Sequence, residues 1–304
     1  MKTNNKFILS EALPTDLSIS TPLTFAFIGE NLVLTKNKKK NDRWDILGGK
    51  LRTGETWIQG LKREALEEAG VVIDHISVVG YLNTSPVTIS FVQEVKKEWQ
   101  KYKTLEREHF SRKWAKKALL DRGDDHQLAD IFTYVLSYWD KQKYDYSFEY
   151  VEGSTPLDNI QNTGSMVFVR TSSKKFLIVR DFDENFFSLP GGGCDMNEDG
   201  KECAVREVRE EAQVEVKNIF LIGTVIVKIS KNGQVFSVST QQRYLADAAE
   251  VPGFVVNPDS FDERRFETVE RKEVPFESLC EEVKLLRNKT GETTLYSLKR
   301  MFGV

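Results

Sequence analysis

The chain is poor in the residues that would place it outside the ordinary globular class. Only three of its 304 residues are cysteine, Cys194, Cys203 and Cys280, an odd number confined to the second half. They lack C-x-x-C spacing, which argues against a disulfide framework or a zinc site. Cys194 and Cys203 then read as small packing residues, and a reducing cytosol is the expected, cytoplasmic, location. The three histidines, His75, His109 and His126, show no metal-ligand spacing and read as structural. No apolar run approaches the ~18 residues that cross a bilayer. The N-terminal MKTNNKFILSEALP has a single short apolar run, so neither secretion nor membrane anchoring is expected. Charge of one sign is also lacking. Forty-three basic against 46 acidic residues leave a net charge of −3, which disfavours a nucleic-acid-coating surface.

What is present is repetition. REVREEAQV, from Arg206 to Val214, packs Glu207, Glu210 and Glu211 behind one arginine, and REALEEAGV, from Arg63 to Val71, does the same 143 residues earlier. The register holds outward without a gap, pairing Gly48 with Gly191, Gly49 with Gly192 and Glu55 with Glu198. A chain of this length suits two domains that each bury a core, here residues 1–143 and 144–304. The polar stretch DKQKYDY lies near their boundary.

Each half shows the same order of elements. In the first, LTFAFIGENLVLTK reads as two strands around a turn, followed by the basic loop KNKKKNDR, the glycines, the glutamate-rich helix and a strand VTISFVQEV. QLADIFTYVLSYW places Leu128, Ile131, Phe132, Val135, Leu136 and Trp139 on one helical face. The second half repeats this with SMVFVR, KFLIVR, a hairpin turning at Asn232-Gly233 and the amphipathic TLYSLKRMF. Strands and helices in this order predict an α/β fold, a sheet between helices in each half. Trp44 and Phe187 stand at matching distances before the glycines and read as core anchors.

Clustered carboxylates repel unless a cation offsets them. In a helix beginning near Thr56, Glu64, Glu67 and Glu68 converge on one face, and Glu207, Glu210 and Glu211 do so in the second copy. Such oxygens suit Mg²⁺, which keeps several waters and is completed by substrate phosphates. DILGGKL and SLPGGGC let backbone approach a ligand, so the carbonyls of Gly48 and Gly191 are further candidate metal ligands. Arg63 and Arg206 are placed to fix a neighbouring glutamate, and Glu55 and Glu198 to brace the loop. Lys39 and Lys40 precede the glycine turn and are candidate phosphate contacts.

Together these residues resemble the signature of the Nudix hydrolases, G-x5-E-x7-R-E-U-x-E-E-x-G-U, where U is aliphatic. Gly49 to Val71 matches throughout with Ala65 at the first aliphatic position, and Gly192 to Val214 matches except that Gln213 replaces the last glycine. The resemblance implies two tandem α/β/α sandwiches with mixed sheets. It further implies Mg²⁺- or Mn²⁺-dependent hydrolysis of a nucleoside diphosphate derivative, with Arg63, Glu64, Glu67, Glu68 and Arg206, Glu207, Glu210, Glu211 as catalytic and metal-binding groups. The family's general base often comes from a later loop, which makes Glu106, Glu108 and Glu263 candidates. Pro86 resembles a downstream proline of Nudix enzymes that cleave ADP-ribose, and the corresponding region of the second half, Lys228 to Ile229, has no proline. A nucleotide sensor and an RNA-cap hydrolase are the alternatives. The expected partner is a small nucleotide-derived substrate. Membrane and nucleic acid are not expected, and the oligomeric state stays open, a homodimer included. Gln213, at a helix end that favours glycine, is expected to cost stability and leave the chemistry intact.

Overall fold

A computed structural model describes residues 7–15, 17–37, 43–97, 104–110, 112–120, 127–153, 155–157, 160–181, 184–256, 268–283, 286 and 288–303. In the first half, β1 (Phe7–Leu9), β2 (Leu23–Ile28), β3 (Asn31–Asn37), β4 (Trp44–Asp45) and β5 (Leu47–Gly48) precede α1 (Trp57–Ala69). β6 (Val71–Leu82), β7 (Ser85–Val95), β8 (Thr104–Phe110), α2 (Arg112–Leu120) and α3 (Gln127–Gln142) follow. The strands form a mixed sheet in the order β1-β6-β7-β2-β3-β4, with β5 on β2 and β8 on β3. β2 and β7 are its central, parallel pair, with Leu23 opposite Val87. Strands buried on both faces carry continuous apolar runs, which is why FAFI in β2 is buried throughout.

α1 covers one face. Its Gly60, Leu61, Ala65 and Ala69 are buried, so small residues bring the helix axis close to the sheet. Thr56 caps its start through a reciprocal bond with Gln59, and Gly70 ends it in the left-handed conformation at φ 60°. α3 covers the other face, where Trp139 packs 4.7 Å from Phe27 and 5.2 Å from Phe91 between ring centroids. The helical stripe expected from the sequence is the one buried, through Ile131, Phe132, Val135 and Trp139.

The second half contains β9 (Asp145–Glu152), β10 (Asn162–Arg170), β11 (Phe176–Asp181), β12 (Gly191–Gly193) and α4 (Gly200–Glu207). These are followed by β13 (Val216–Lys231), β14 (Gln234–Ala248), β15 (Thr268–Val274), α5 (Leu279–Glu282) and α6 (Lys289–Phe302). Its sheet runs β15-β11-β10-β14-β13-β9, with β12 on β10. α4 packs on one face through Ala204, followed by Val208 and Ala212, and α5 and α6 pack on the other through Leu279, Leu295 and Leu298. Both halves are thus α/β/α sandwiches. Asn232 and Gly233, at φ 52° and 78°, make the expected two-residue hairpin turn.

The contact pattern groups Met1–Tyr146 with Lys228–Val238 as one unit, and Ser147–Val227 with Ser239–Val304 as the other. The tip of the β13–β14 hairpin therefore belongs to the first unit's core, to which Ile229 and Phe236 contribute. Phe236 lies 5.4 Å from Phe91 and 5.6 Å from Tyr144, and Ser237 Oγ accepts from the Gly29 amide at 3.1 Å. DKQKYDY is more ordered than its polarity suggests. Asp140–Gln142 finish α3, Tyr144 packs into the core, and β9 begins at Asp145.

Candidate active site

The two glutamate helices are braced by one arginine each, in matching fashion. Arg63 donates from Nε to Glu55 at 2.7 Å, from Nη1 to Glu64 at 2.7 Å and Glu67 at 3.1 Å, and from Nη2 to Lys50 O and Glu55, both at 3.0 Å. Arg206 donates from Nε to Glu198 at 2.8 Å and from Nη1 to Glu207 at 2.7 Å and Glu210 at 3.2 Å. Its Nη2 reaches Gly193 O at 2.9 Å and Glu198 at 2.8 Å. All five N–H groups of each guanidinium are in use, a geometry no lysine reproduces. Glu55 and Glu198 also accept from the loop amides of Arg52 and Asp195, at 2.8 and 3.0 Å, and so brace the loop. The Arg63 guanidinium holds Glu55 at about 2.

The glycines fit the carboxylates. A Cβ on Gly49 would lie 2.3 Å from Glu64 Cδ, and one on Gly192 2.7 Å from a Glu207 oxygen. The amides of Gly48 and Gly191 donate to Glu68 at 3.1 Å and Glu211 at 2.9 Å. Each site therefore gathers three helix glutamates, a glycine turn and a bracing Arg–Glu pair.

The two sites differ electrostatically. Arg52 bonds Glu67 at 2.8 Å, whereas Asp195, of opposite charge, occupies its place in the second half. Glu207 and Glu211 are also buried. Burial pushes Glu207 up to about 7 against the pull of Arg206, and raises Glu211 well above the usual carboxylate range with Glu207 adding to it.

Several expectations are corrected. Cys194 and Cys203 are joined as a disulfide, with Cα atoms 5.1 Å apart. Sequence spacing missed the pair because the eight intervening residues turn the chain from β12 into the start of α4. In the first half the same two positions are Leu51 and Gly60, where Leu51 Cδ2 fills the space a Cβ on Gly60 would need. Gln213 is left-handed at φ 53°, as a glycine site requires, and it follows a π turn over Val208–Ala212. Its amide donates to Val255 O at 2.6 Å and accepts from Val255 N at 3.1 Å, two bonds that a glycine there would lack.

Pro86 is a strand residue, buried opposite Tyr81 at the start of β7. The sheet row places Gln242 at its counterpart, not Ile229, because the β13–β14 hairpin is longer than β6–β7. Glu106 pairs with Lys36 at 3.4 Å. Arg107, between Glu106 and Glu108, reaches the end of α1, so by strand alternation both glutamates point to the sheet face away from that helix. Lys39, Lys40, His126 and Glu263 lie outside the described residues.

One pair of residues escaped sequence reasoning. Arg107 donates to Ala69 O at 2.6 Å and Lys96 O at 2.9 Å, and Arg271 donates to Ala212 O and Pro252 O. Both arginines cap the terminal carbonyls of a glutamate helix, where positive charge is favoured. They come from β8 and β15, far along the chain, with no local motif to mark them.

The geometry is matched by kinship. A family model described as NUDIX domain matches residues 23–134 and again 161–293. The chain belongs to the Nudix family. Over 41 residues it is 46% identical to the oxidized purine nucleoside triphosphate hydrolase of Mus musculus, a stretch covering 14% of this chain and 26% of that protein. Over 53 residues it is 34% identical to the 8-oxo-dGTP diphosphatase of Buchnera aphidicola, covering 17% of this chain and 43% of the relative. The matched stretches thus span less than half the length of either curated relative. Among solved structures, a pyrophosphohydrolase of Bacillus subtilis is similar at a TM-score of 0.39 and 21% identity, over 52% of this chain and 92% of that one. No helix among the described residues is long and apolar enough to cross a membrane.

Proposed function

We propose that the chain hydrolyses the diphosphate linkage of nucleoside diphosphate derivatives at two Nudix sites, each dependent on a divalent cation, Mg²⁺ or Mn²⁺. The observation that carries this reading is the bond-for-bond repetition of the Arg63 network at Arg206, with a glycine pressed against the first carboxylate in both places. A purely structural surface helix has no need of either. The donor set fits a hard cation, since Glu64, Glu67, Glu68 and the Gly48 carbonyl, like Glu207, Glu210, Glu211 and Gly191, present only oxygen.

When bound, the cation neutralises charge on the phosphoryl oxygens and lowers the pKa of water. The protein's part is positioning. Arg63 and Arg206 lock the rotamers of the carboxylates they touch, while Gly48 and Gly191 anchor Glu68 and Glu211 through their amides. The glycine turns let Glu64 and Glu207 lie directly against the backbone. The names of the curated relatives favour nucleoside triphosphates with a modified purine, and Pro86 favours ADP-ribose at the first site. A second site that binds without turnover is supported by Asp195 and by the burial of Glu207 and Glu211.

The test is a Mg²⁺ panel of ADP-ribose, a dinucleoside tetraphosphate and 8-oxo-dGTP, scored for nucleoside monophosphate, phosphate and pyrophosphate. It is run on the full chain carrying Glu68→Gln or Glu211→Gln. Absence of metal-dependent products from every substrate and both variants refutes the reading.

A further inference from the structure

The rows of residues that cross each sheet at its glycine turn differ at one telling position. In the first unit, Gly48 of β5 lies opposite Leu23 of β2, which lies opposite Val87 of β7. In the second, Gly191 lies opposite Met166, which lies opposite Arg243 of β14. Two strand intervals put Arg243 about 10 Å along the sheet from Gly191. Val87 is fully buried and apolar, so the second site has a guanidinium where the first has a methyl surface.

Strand alternation fixes the side on which Arg243 stands. Its neighbours Gln242 and Tyr244 bond each other at 2.6 Å on the face of α4, where Gln242 fills the space beside Gly200. Arg243 therefore shares the opposite face with Leu245, which packs against α6 through Leu295 and Leu298.

Its bonding is weak for a charged group. Nη1 donates to Gln242 O at 3.3 Å and Nη2 to Gln241 Oε1 at 3.2 Å, both neutral acceptors. The other described arginines of this unit are better served. Arg170, Arg180, Arg206, Arg209 and Arg300 bond carboxylates, and Arg271 caps a helix. Glu152, on β9 two strands from β14, is bonded to Ser297 at 2.9 Å and to Arg300. Arg243 is only part-buried, and neither of its two bonds uses Nε. Burial pulls the Arg243 guanidinium down to about 10. Besides the two amide oxygens its near neighbour is the Tyr150 phenol, so the partly desolvated charge faces no carboxylate and is short of an anion.

We infer that Arg243 binds a phosphate of the second site's substrate beyond the diphosphate held at Glu207, Glu210 and Glu211. The inference rests on the nucleotide-hydrolase reading above for the identity of the ligand, not for the existence of an anion site. The planar fork accepts a pair of phosphate oxygens, and an anion satisfies it better than the neutral edge of a base does. The second site then selects nucleotides with three or more phosphates, and the first, with Val87, does not.

The test uses the full chain in EDTA, so that metal-dependent turnover is removed. Wild type, Arg243→Met and Arg243→Lys are titrated calorimetrically with ATP, AMP and GMP, and their melting temperatures are recorded. ATP should bind wild type more tightly than AMP. Arg243→Met should weaken ATP binding about tenfold, the worth of one charge-assisted bond, and change AMP by less than about twofold on the same footing. Arg243→Lys should lie between, with melting temperatures kept. Absence of ATP binding to wild type, an unchanged affinity in Arg243→Met, or a loss confined to GMP would overturn the assignment. So would a fall in the melting temperature of Arg243→Met, which would make the residue structural. Failure of the hydrolysis reading shows separately, as absence of products with Mg²⁺, and leaves the titration in EDTA standing.

Discussion

Removing the divalent cation should make the second half less stable as pH rises, and the size of the effect follows from Glu207. Burial holds its folded-state pKa at about 7, against 4.5 for an ordinary glutamate. Between those values the folded chain keeps a proton that the unfolded chain has released, so stability falls as pH rises through this window and is constant above it. From pH 5 to pH 8 the folded Glu207 passes through about two units of that window. At about 1.4 kcal/mol per unit, the loss is about 3 kcal/mol. Buried Glu211, shifted in the same direction, adds to it. The depressed Glu215 and Asp247 titrate below the window, and no histidine occurs in the second half.

Hydrogen exchange by mass spectrometry, corrected for the intrinsic rate, reads the second half through peptides covering residues 203–212. Tryptophan fluorescence reads the first, which holds all five tryptophans. In EDTA the opening free energy of residues 203–212 should fall between pH 5 and pH 8, Mg²⁺ at pH 8 should restore it, and Glu207→Gln should flatten most of the slope. A flat or rising profile in EDTA would refute the argument that these carboxylates are held together against their charge.

Glu68→Gln and Glu211→Gln should each abolish one activity, and the double variant should be inert in the Mg²⁺ panel. Arg63→Lys and Arg206→Lys should slow their own sites by about 10–100-fold at unchanged fold, the range for residues that orient ligands; circular dichroism checks the fold. Reducing the Cys194–Cys203 bond, which closes a nine-residue separation, should cost the second half about 2–3 kcal/mol and leave the first untouched. Gln213→Gly should change stability by less than about 1 kcal/mol in urea unfolding, because relief of a left-handed side chain is opposed by the loss of two bonds to Val255.

The sequence was most informative where function and local structure coincide. Glu64, Glu67 and Glu68 share a helix, so their spacing alone foretold their convergence, and the duplicated register foretold the matching network around Arg206. Thr56, Gly70 and Asn232-Gly233 carry local signals that the backbone obeys. What escaped were residues whose meaning depends on strand pairing. Arg107, Arg271 and Arg243 act across the sheet, and nothing near them in the chain records which carbonyl or glycine they will face. A constant offset of 143 residues also misled beyond the helix, since the longer second hairpin moves the partner of Pro86 from Ile229 to Gln242. The disulfide was hidden by its own simplicity, two cysteines filling the space that a leucine and a glycine fill in the other copy.

The hairpin tip at Lys228–Val238 shows that duplication in sequence is not the same as separability in fabric. Cutting the chain between its two copies leaves the first without Ile229 and Phe236, and opens the aromatic packing around Phe91 and Tyr144 to water. A gene fragment drawn at the repeat boundary would encode an entire signature and an incomplete core. Its failure to fold would be a statement about where the boundary was drawn, not about which copy carries the chemistry.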